Sequence, residues 1–597
     1  GVTDTYTRDD TLQRTVVGCG NHGEAPVISV GAKSFYPTVT AALSAFSSCL
    51  TGGIVLEIDS GHYAGLQLDR LSGVSDSARI VIRSASGKAS DVVFSGTYGM
   101  ELSRSSHLVF ENLTFQGSSI GVKLSNWLED VCIRGCRILT STTGTSSSCR
   151  AVSHDNYSGS GCLNNVRFVG NTITGGYYNM YFYYSAVRFD SIMRSSVYID
   201  SNEMSEAYSA GVYAEYYTRF VRISHNMITN RNGVENFSGI RIVEYNRADS
   251  ILANRIRLNT RSNAYGIYMS YYVNYPNYKF VMAANNDIRM EAGNKAYGVY
   301  EKDYMYMSYY HNTIYAVSPN GYAYGIYNAA VHGNMKNNLL WTDSPNGYPV
   351  YYTGVSYINK DGARDYNCYY DKNGIIGYAN GGVRRSIAAM TALDTLQDLH
   401  SVTLLPKLKN SQSADLKVET DSRLVVPYLP LVPRDREGRL RYPQTLIGAY
   451  EKEPVKLDAA VAAVVNPSFG LGSQKVYVRL SNRGQDTLDS LRVCSRINGV
   501  LNPEVSWSGS LPAGADTVLE VCTANIYRPG PFSLTVWLVS VNGVQDMFAG
   551  NDTLSLTASV CMGGWSGTYT LGGVSPDFAT LDEFLNLLSI CGLSGPV

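Results

Sequence analysis

The sequence predicts an all-β protein: a right-handed parallel β-helix followed by a β-sandwich, with partial repeats flanking both. Three observations predict it. A tyrosine-rich phrase recurs about every 27 to 32 residues, as SAGVYAEYY from Ser209, AYGIYMSYY from Ala264, AYGVYEKDY from Ala296 and AYGIYNAAV from Ala323. An Asn-x-apolar motif recurs every 24 to 32 residues. After Glu451 both motifs stop, and alternating strands with regular turns take over.

The repeat comes first. The asparagines of the second motif are Asn171, Asn202, Asn226, Asn254, Asn286, Asn312 and Asn338. Periods of 20 to 50 residues mark solenoids and propellers. These units hold short Val/Ile/Tyr-rich strands broken by Gly, Asn and Ser, without a ten-residue helical pattern, which excludes helical repeats. They are also shorter than propeller blades. One coil of two or three strands per unit remains. Side chains alternate along a strand, so within GIY the aliphatic residue points in and the tyrosine out. Val212, Ile240, Ile267, Val299, Ile326 and Val350 are expected to stack inside. Tyr181, Tyr213, Tyr268, Tyr300, Tyr327 and Tyr351 are expected to form an outer ladder, interrupted at Arg241. The asparagines are expected to line a bend, where their amides bond each other and the next coil.

The chain has 597 residues, more than one ordinary core holds. Its formal net charge is −1, so the basic excess of a nucleic-acid-binding surface is missing. No run of 18 apolar residues predicts a membrane span. The opening GVTDTYTRDD is neither basic nor apolar. The expectation is either an internal piece of a longer polypeptide or a chain whose targeting segment has been removed. Tyrosine stands out, with 46 residues against 16 phenylalanines. Such rings cover a surface and still present a polar tip to water.

The repeat region resembles the pectate-lyase-like β-helix family of secreted bacterial proteins. Phe35 to Tyr63 resembles that group's capping helix plus first strand, and DREGRLRYPQTLIGAYE (Asp435 to Glu451) its terminal segment. The β-helix is therefore placed at residues 21–451. VYVRLSNRGQDTL, SWSGSLPAGADTVLEV, FSLTVWLVSVNG and GNDTLSLTASV follow, and place an Ig-like sandwich at 452–560. Their SNRG, LPAG and NDTL turns resemble CARDB-type adhesion modules.

Residues 1–55 match residues 543–597 without a gap at a shift of 542. Cys19 meets Cys561, Thr38 meets Thr580, Leu43 meets Leu585 and Cys49 meets Cys591. Residues 1–20 thus read as the tail of a preceding Ig-like domain, and 561–597 as the start of a next β-helix. A tandem array is expected. Four disulfides are expected among eleven cysteines: Cys19–Cys49, Cys561–Cys591, Cys494–Cys522 and Cys149–Cys162. The bland alternative is reduced, buried thiols. Matched spacing in two copies points instead to an oxidising, extracellular setting. Cys132, Cys136 and Cys368 remain, with Cys136 at an asparagine position of the repeat.

No zinc, P-loop or Ser-His-Asp pattern is present, and no cofactor or metal is expected. A hydrolase needs paired carboxylates, and a lyase of this fold needs calcium-binding acids beside a base. Glu215, Arg219, Arg241 and Glu244 hold similar offsets on adjacent coils. They read either as a catalytic group or as a surface ion-pair ladder. His225 and His311 read as loop or surface groups. The tyrosine doublets at 183, 216, 271 and 309 extend the outer aromatic stripe toward a contact surface. Asp-Ser/Thr-apolar triplets such as DTL at Asp10 resemble O-glycosylation sites of surface proteins that use type IX secretion. The function this predicts is a secreted, repetitive adhesin or an extracellular filament or motility-appendage subunit. Its partners would be other copies, appendage subunits or cell-surface glycans. A polysaccharide lyase or hydrolase, or a non-catalytic glycan-binding module, is the alternative.

Overall fold

The computed structural model describes residues 26–597 apart from 47–51, 157–160, 186–194, 245, 272–280, 304–306, 329–332, 354–362, 394–396, 410–415, 442–443, 453–455, 466–469, 528–529 and 562–564. It divides into two compact units. The first runs to Glu451 apart from residues 442–445; the second holds those four residues and Lys452–Val597.

The first unit is a parallel β-helix with three strands per coil. A representative coil runs Val281–Ala284, Asp287–Ala292 and Lys295–Asp303. Each strand pairs in parallel with its equivalents one coil before and after, so three sheets form, here termed first, second and third in that order. The third sheet's inner column runs Val212, Ile240, Ile267, Val299, Ile326, Val350 in unbroken register. All six are fully buried.

Between the first and second sheets the chain turns at a residue in the left-handed region, followed by a ladder asparagine. His225, Ala253, Asn285, His311 and Asn337 each have φ between 52° and 61°. Each ladder amide then donates across the coil interface. Asn254 Nδ2 donates to Asn286 Oδ1 (3.0 Å), Asn286 to Asn312 (2.9 Å) and Asn312 to Asn338 (2.9 Å). The same oxygen accepts the preceding asparagine's backbone N–H. The ladder runs from Cys136, whose N–H donates to Asn171 Oδ1 (2.9 Å), to Asn367, whose N–H donates to Ser401 Oγ (3.0 Å). Asn367 is the rung the repeat motif missed, because DYNCYY carries Tyr369 where the other copies have Ile, Met or Leu.

Residues 416–441 and 446–451 return along the outside of this bend as a strap. Asn337 Nδ2 donates to Pro427 O, Asn285 Nδ2 to Arg434 O and Ala449 N to Thr313 Oγ1. The Tyr450 hydroxyl donates to the buried Asp287 carboxylate. This corrects one expectation. His311 is not a surface group; it is fully buried against Asn337 and the strap, while His225 is exposed. Burial holds the His311 imidazole well below its ordinary pKa.

The second unit contains a three-stranded antiparallel sheet, Ala459–Val464, Gly472–Asn482 and Asp516–Ile526, and a five-stranded one built on Leu488–Ile497 and Gly530–Val541. Val476, Val478 and Leu480 meet Leu491, Val493, Leu534 and Val536 in one core. Trp565, Phe578 and Phe584 form a separate small cluster near the C-terminus. There the helix Leu581–Cys591 is capped by Thr580 Oγ1, which accepts the Glu583 N–H. Its counterpart 542 residues earlier, Val39–Phe46, has Thr38 Oγ1 accepting the Ala41 N–H.

Cys561 and Cys591 are disulfide-bonded, with Cα atoms 5.5 Å apart. Cys19–Cys49 lies outside the described residues. The other two expected bridges are absent. Cys494 and Cys522 are both thiols. They sit on strands of opposite sheets, but alternation turns Val493 and Ser495 toward the core and Cys494 away from it. The residue that faces Cys522 and hydrogen-bonds it is Ser495. Cys149 is a buried thiol 3.5 Å from Thr140 Oγ1, so it makes no bridge to Cys162. Cys136 is buried and lies in the main core.

Candidate functional site

The third sheet carries the chemistry that sets this chain apart. Its strands contain two outward tyrosine columns. One runs Tyr181, Tyr213, Arg241, Tyr268, Tyr300, Tyr327, Tyr351 and Tyr378. The Arg241 guanidinium fills the gap between the rings of Tyr213 and Tyr268, at 5.7 and 4.5 Å. A second column, which the GIY motif did not reveal, is Tyr265, Tyr297, Tyr324 and Tyr348. Rings within each column lie nearly parallel: Tyr300–Tyr327 at 5.0 Å and 9°, Tyr265–Tyr297 at 5.0 Å and 2°. Rings of different columns meet edge-on, as Tyr297–Tyr300 at 81° and Tyr324–Tyr327 at 85°. The face is an interlocked herringbone, an arrangement aromatic quadrupoles favour.

Glycine makes it possible. In AYGIY the inward residues are Ala264 and Ile267, both fully buried, and the outward ones Tyr265 and Tyr268. Strict alternation would put Tyr265 on the side of Ile267. The strand bends at Gly266, which drops out of the pairing register. A Cβ there would lie 2.5 Å from Gly298 O and 2.7 Å from Ile288 Cγ2. Equivalent clashes meet Gly211 and Gly239, so adjacent coils close on glycine there; Asn179 and Pro349 take the position at the two ends of this run.

Because the parallel rings cover one another's faces, the sheet presents ring edges and hydroxyls outward. Tyr297 and Tyr324 are each 7% exposed, and Tyr181 is 6% exposed, roofed by the Arg150 guanidinium 3.7 Å above its ring. Tyr213, Tyr268, Tyr300, Tyr327 and Tyr351 remain partly open. Burial raises the pKa of the Tyr265, Tyr297, Tyr324 and Tyr327 hydroxyls, and that of Tyr178 to about 12, so they stay protonated donors. The doublets diverge. Tyr184 stacks on Tyr216 (5.4 Å) at the edge of this face. Tyr309 instead turns into the core, donating to Glu301, and Tyr310 lies beside Val432 of the strap.

The four residues weighed as a catalytic group are each engaged by other side chains. Arg219 pairs with Asp249 (2.5 Å), which also takes Arg247 (2.6 Å). Glu215 accepts from the Tyr213 hydroxyl (3.1 Å), and Glu244 bonds the Tyr216 hydroxyl. Arg241 lies between rings. Among the described residues no group of three or more His, Cys, Asp or Glu side chains converges as metal ligands. No helix among them is long and apolar enough to cross a membrane.

The fold defines the class of this chain: a parallel β-helix joined in sequence to antiparallel sheets. No family model matches it, and no curated protein matches it. Among solved structures, a PL6-family alginate lyase is similar over 75% of this chain at 11% identity and a TM-score of 0.33. The chain spans 60% of that structure. The CARDB domain of a Pyrococcus furiosus protein, solved in complex with di-metal ions, is similar over 15% of this chain at 23% identity and a TM-score of 0.14. That likeness spans 81% of the domain.

Proposed function

We propose that this chain is a rigid, secreted surface module of a tandemly repeated β-helix plus Ig-like protein. The tyrosine face of its β-helix is the contact surface, and other copies of the chain are its first partners. The observation that carries this reading is the herringbone itself. Apolar ring edges and protonated hydroxyls repeat along the axis at the coil spacing, the amphipathic composition that protein interfaces favour. A second β-helix offers the same repeat. Sugar rings stack on open aromatic faces, and here those faces are occupied. The disulfide supports an extracellular setting. The duplicated segments at 1–55 and 543–597 support the array.

The test is sedimentation of the whole chain over rising concentration. It is run beside a variant with Tyr268, Tyr300, Tyr327 and Tyr351 changed to Phe, which keeps the rings and removes the hydroxyls. Association of the parent and loss of it in the variant are expected. A parent that stays monomeric, or a variant that associates equally, overturns the contact-surface reading. A reducing denaturing gel of the protein from its source tests the array. A band at several times 65.3 kDa is expected, and a band at that mass removes the array. Release of unsaturated sugars from alginate or pectin by the parent would replace both with the lyase reading.

A further inference from the structure

In the second unit one buried carboxylate holds both a lysine and an asparagine amide. Lys452 precedes the first strand of the three-stranded sheet, Ala459–Val464, and Asn551 precedes the last strand of the five-stranded one, Thr553–Val560. Asp458 is fully buried. Its Oδ1 accepts from Asn551 Nδ2 (2.7 Å) and its Oδ2 from Lys452 Nζ (3.4 Å). The Phe548 ring covers the lysine, with its centroid 2.7 Å from Nζ. Asn551 Oδ1 is buried and takes no hydrogen bond among the described residues.

The backbone fixes each of these groups. The N–H groups of Arg483 and Gly484 donate to Asp458 O (2.7 and 3.0 Å), and a Cβ on Gly484 would lie 2.3 Å from Lys456 O. Asn551 ends the short turn Ala549–Asn551. Asp546 ties that turn to the first strand: it accepts the N–H groups of Ala459 and Phe548, each at 2.6 Å. An ion pair would need only Lys452 and Asp458. Here the amide shares the carboxylate, the amine is covered by a ring, and the amide oxygen is buried without a donor. A buried acid that touches both an amine and an amide can move protons between them.

We propose that Lys452 and Asn551 join in an intramolecular isopeptide bond, with Asp458 as the acid–base catalyst. Lys452 Nζ forms a bond to Asn551 Cγ, and the Cγ–Nδ2 bond breaks. The ammonium gives up two protons. One passes through Asp458 to Nδ2, which leaves as ammonia; the other goes to water. Nothing is oxidised or reduced, and the net change is the loss of one ammonia. The water-poor site under Phe548 keeps the lysine beside its target and excludes competing hydrolysis. The bond fastens the start of the unit to its last strand. A pull that enters at Lys452 and leaves beyond Val560 then bypasses the strands between. That consequence rests on the tandem-array reading; the chemistry does not.

The experiment weighs the intact full chain by mass spectrometry after its disulfides are reduced, and then maps its proteolytic peptides. The expected mass is one ammonia below that of the sequence, with one joined peptide pair through Lys452 and Asn551. Lys452→Arg keeps the charge beside Asp458 and cannot form the bond. It is expected at its full sequence mass, with unchanged circular dichroism and a melting transition of the second unit lower by about 10 °C or more. Asp458→Asn is expected to leave both peptides separate while Lys452 and Asn551 are still present. A parent at its full sequence mass overturns the proposal. So does loss of ammonia without a joined peptide, which cyclisation of Asn551 onto its own backbone would give. A joined peptide through Asp546 or Asp552, formed with loss of water, overturns the assignment of Asn551. A bond that forms equally in Asp458→Asn overturns the role of Asp458. None of these masses depends on self-association, so the tyrosine-face reading stands or falls separately.

Discussion

At the scale of single residues, the β-helix depends on buried amides that have no alternative partner. Asn286 is fully buried; its Nδ2 donates to Ile251 O and Asn312 Oδ1, and its Oδ1 accepts the Asn254 N–H. Truncation to Ala strands several polar groups away from water, each costing about 1–3 kcal/mol. Asn286→Ala is therefore expected to lose about 3–5 kcal/mol, read from urea unfolding. A loss below about 1 kcal/mol would mean that water replaces the rung. Gly266 makes the same point by sterics. Gly266→Ala pushes a methyl into Gly298 O, a backbone atom that cannot rotate away. It should cost about 1–3 kcal/mol, while Gly52→Ala, which meets open space, should be near neutral in the same melt.

At the scale of elements, the tyrosine columns contribute through packing more than through their hydroxyls. Tyr324 stacks on Tyr297 (4.8 Å) and Tyr348 (5.7 Å) and meets Tyr327 and Tyr351 edge-on. Tyr324→Ala is expected to lose about 3–5 kcal/mol, as large-to-small aromatic changes in packed sites do. Tyr324→Phe should cost less than about 1.5 kcal/mol. Similar losses in the two variants would place the stabilisation in the hydroxyl instead. The strap is an element of another kind. Its backbone bonds to Asn285, Asn337 and Thr313 bury polar groups that the coils alone leave at the surface.

At the scale of the molecule, the two units respond to acid with opposite signs. In the β-helix, burial holds His311 well below its ordinary value and His154 at about 4. The unfolded chain takes up these protons near pH 6.5 and the folded chain does not, so stability falls as pH drops below about 6.5. Asp371, raised by burial, opposes this in part. In the second unit, burial raises Asp546 to about 6 and Asp552 to about 7; the Asp458 charge adds to both shifts, and that of Asp546 adds to the shift of Asp552. There the folded state holds protons that the unfolded state has lost. Stability therefore rises as pH falls from about 8 to about 5. Calorimetry at pH 7.5 and 5.5, both inside these windows, should show the two transitions moving in opposite directions. Asp552→Asn should remove much of the upward shift, and a common direction for both transitions would contradict the assignment.

The sequence by itself determined the coil. Recurring glycine, asparagine and Val/Ile positions are local demands of bend, ladder and core, and they read out at their own period. The inner column from Val212 to Val350 and the seven asparagines were legible for that reason. Tertiary structure decided whatever depends on what lies one coil or one sheet away. The second tyrosine column was hidden because the bend at Gly266 breaks the alternation from which side-chain direction is read. Cys494 and Cys522 looked like partners on adjacent strands, but a one-residue phase puts Ser495 opposite Cys522. His311 looked exposed until a strap more than a hundred residues later covered it.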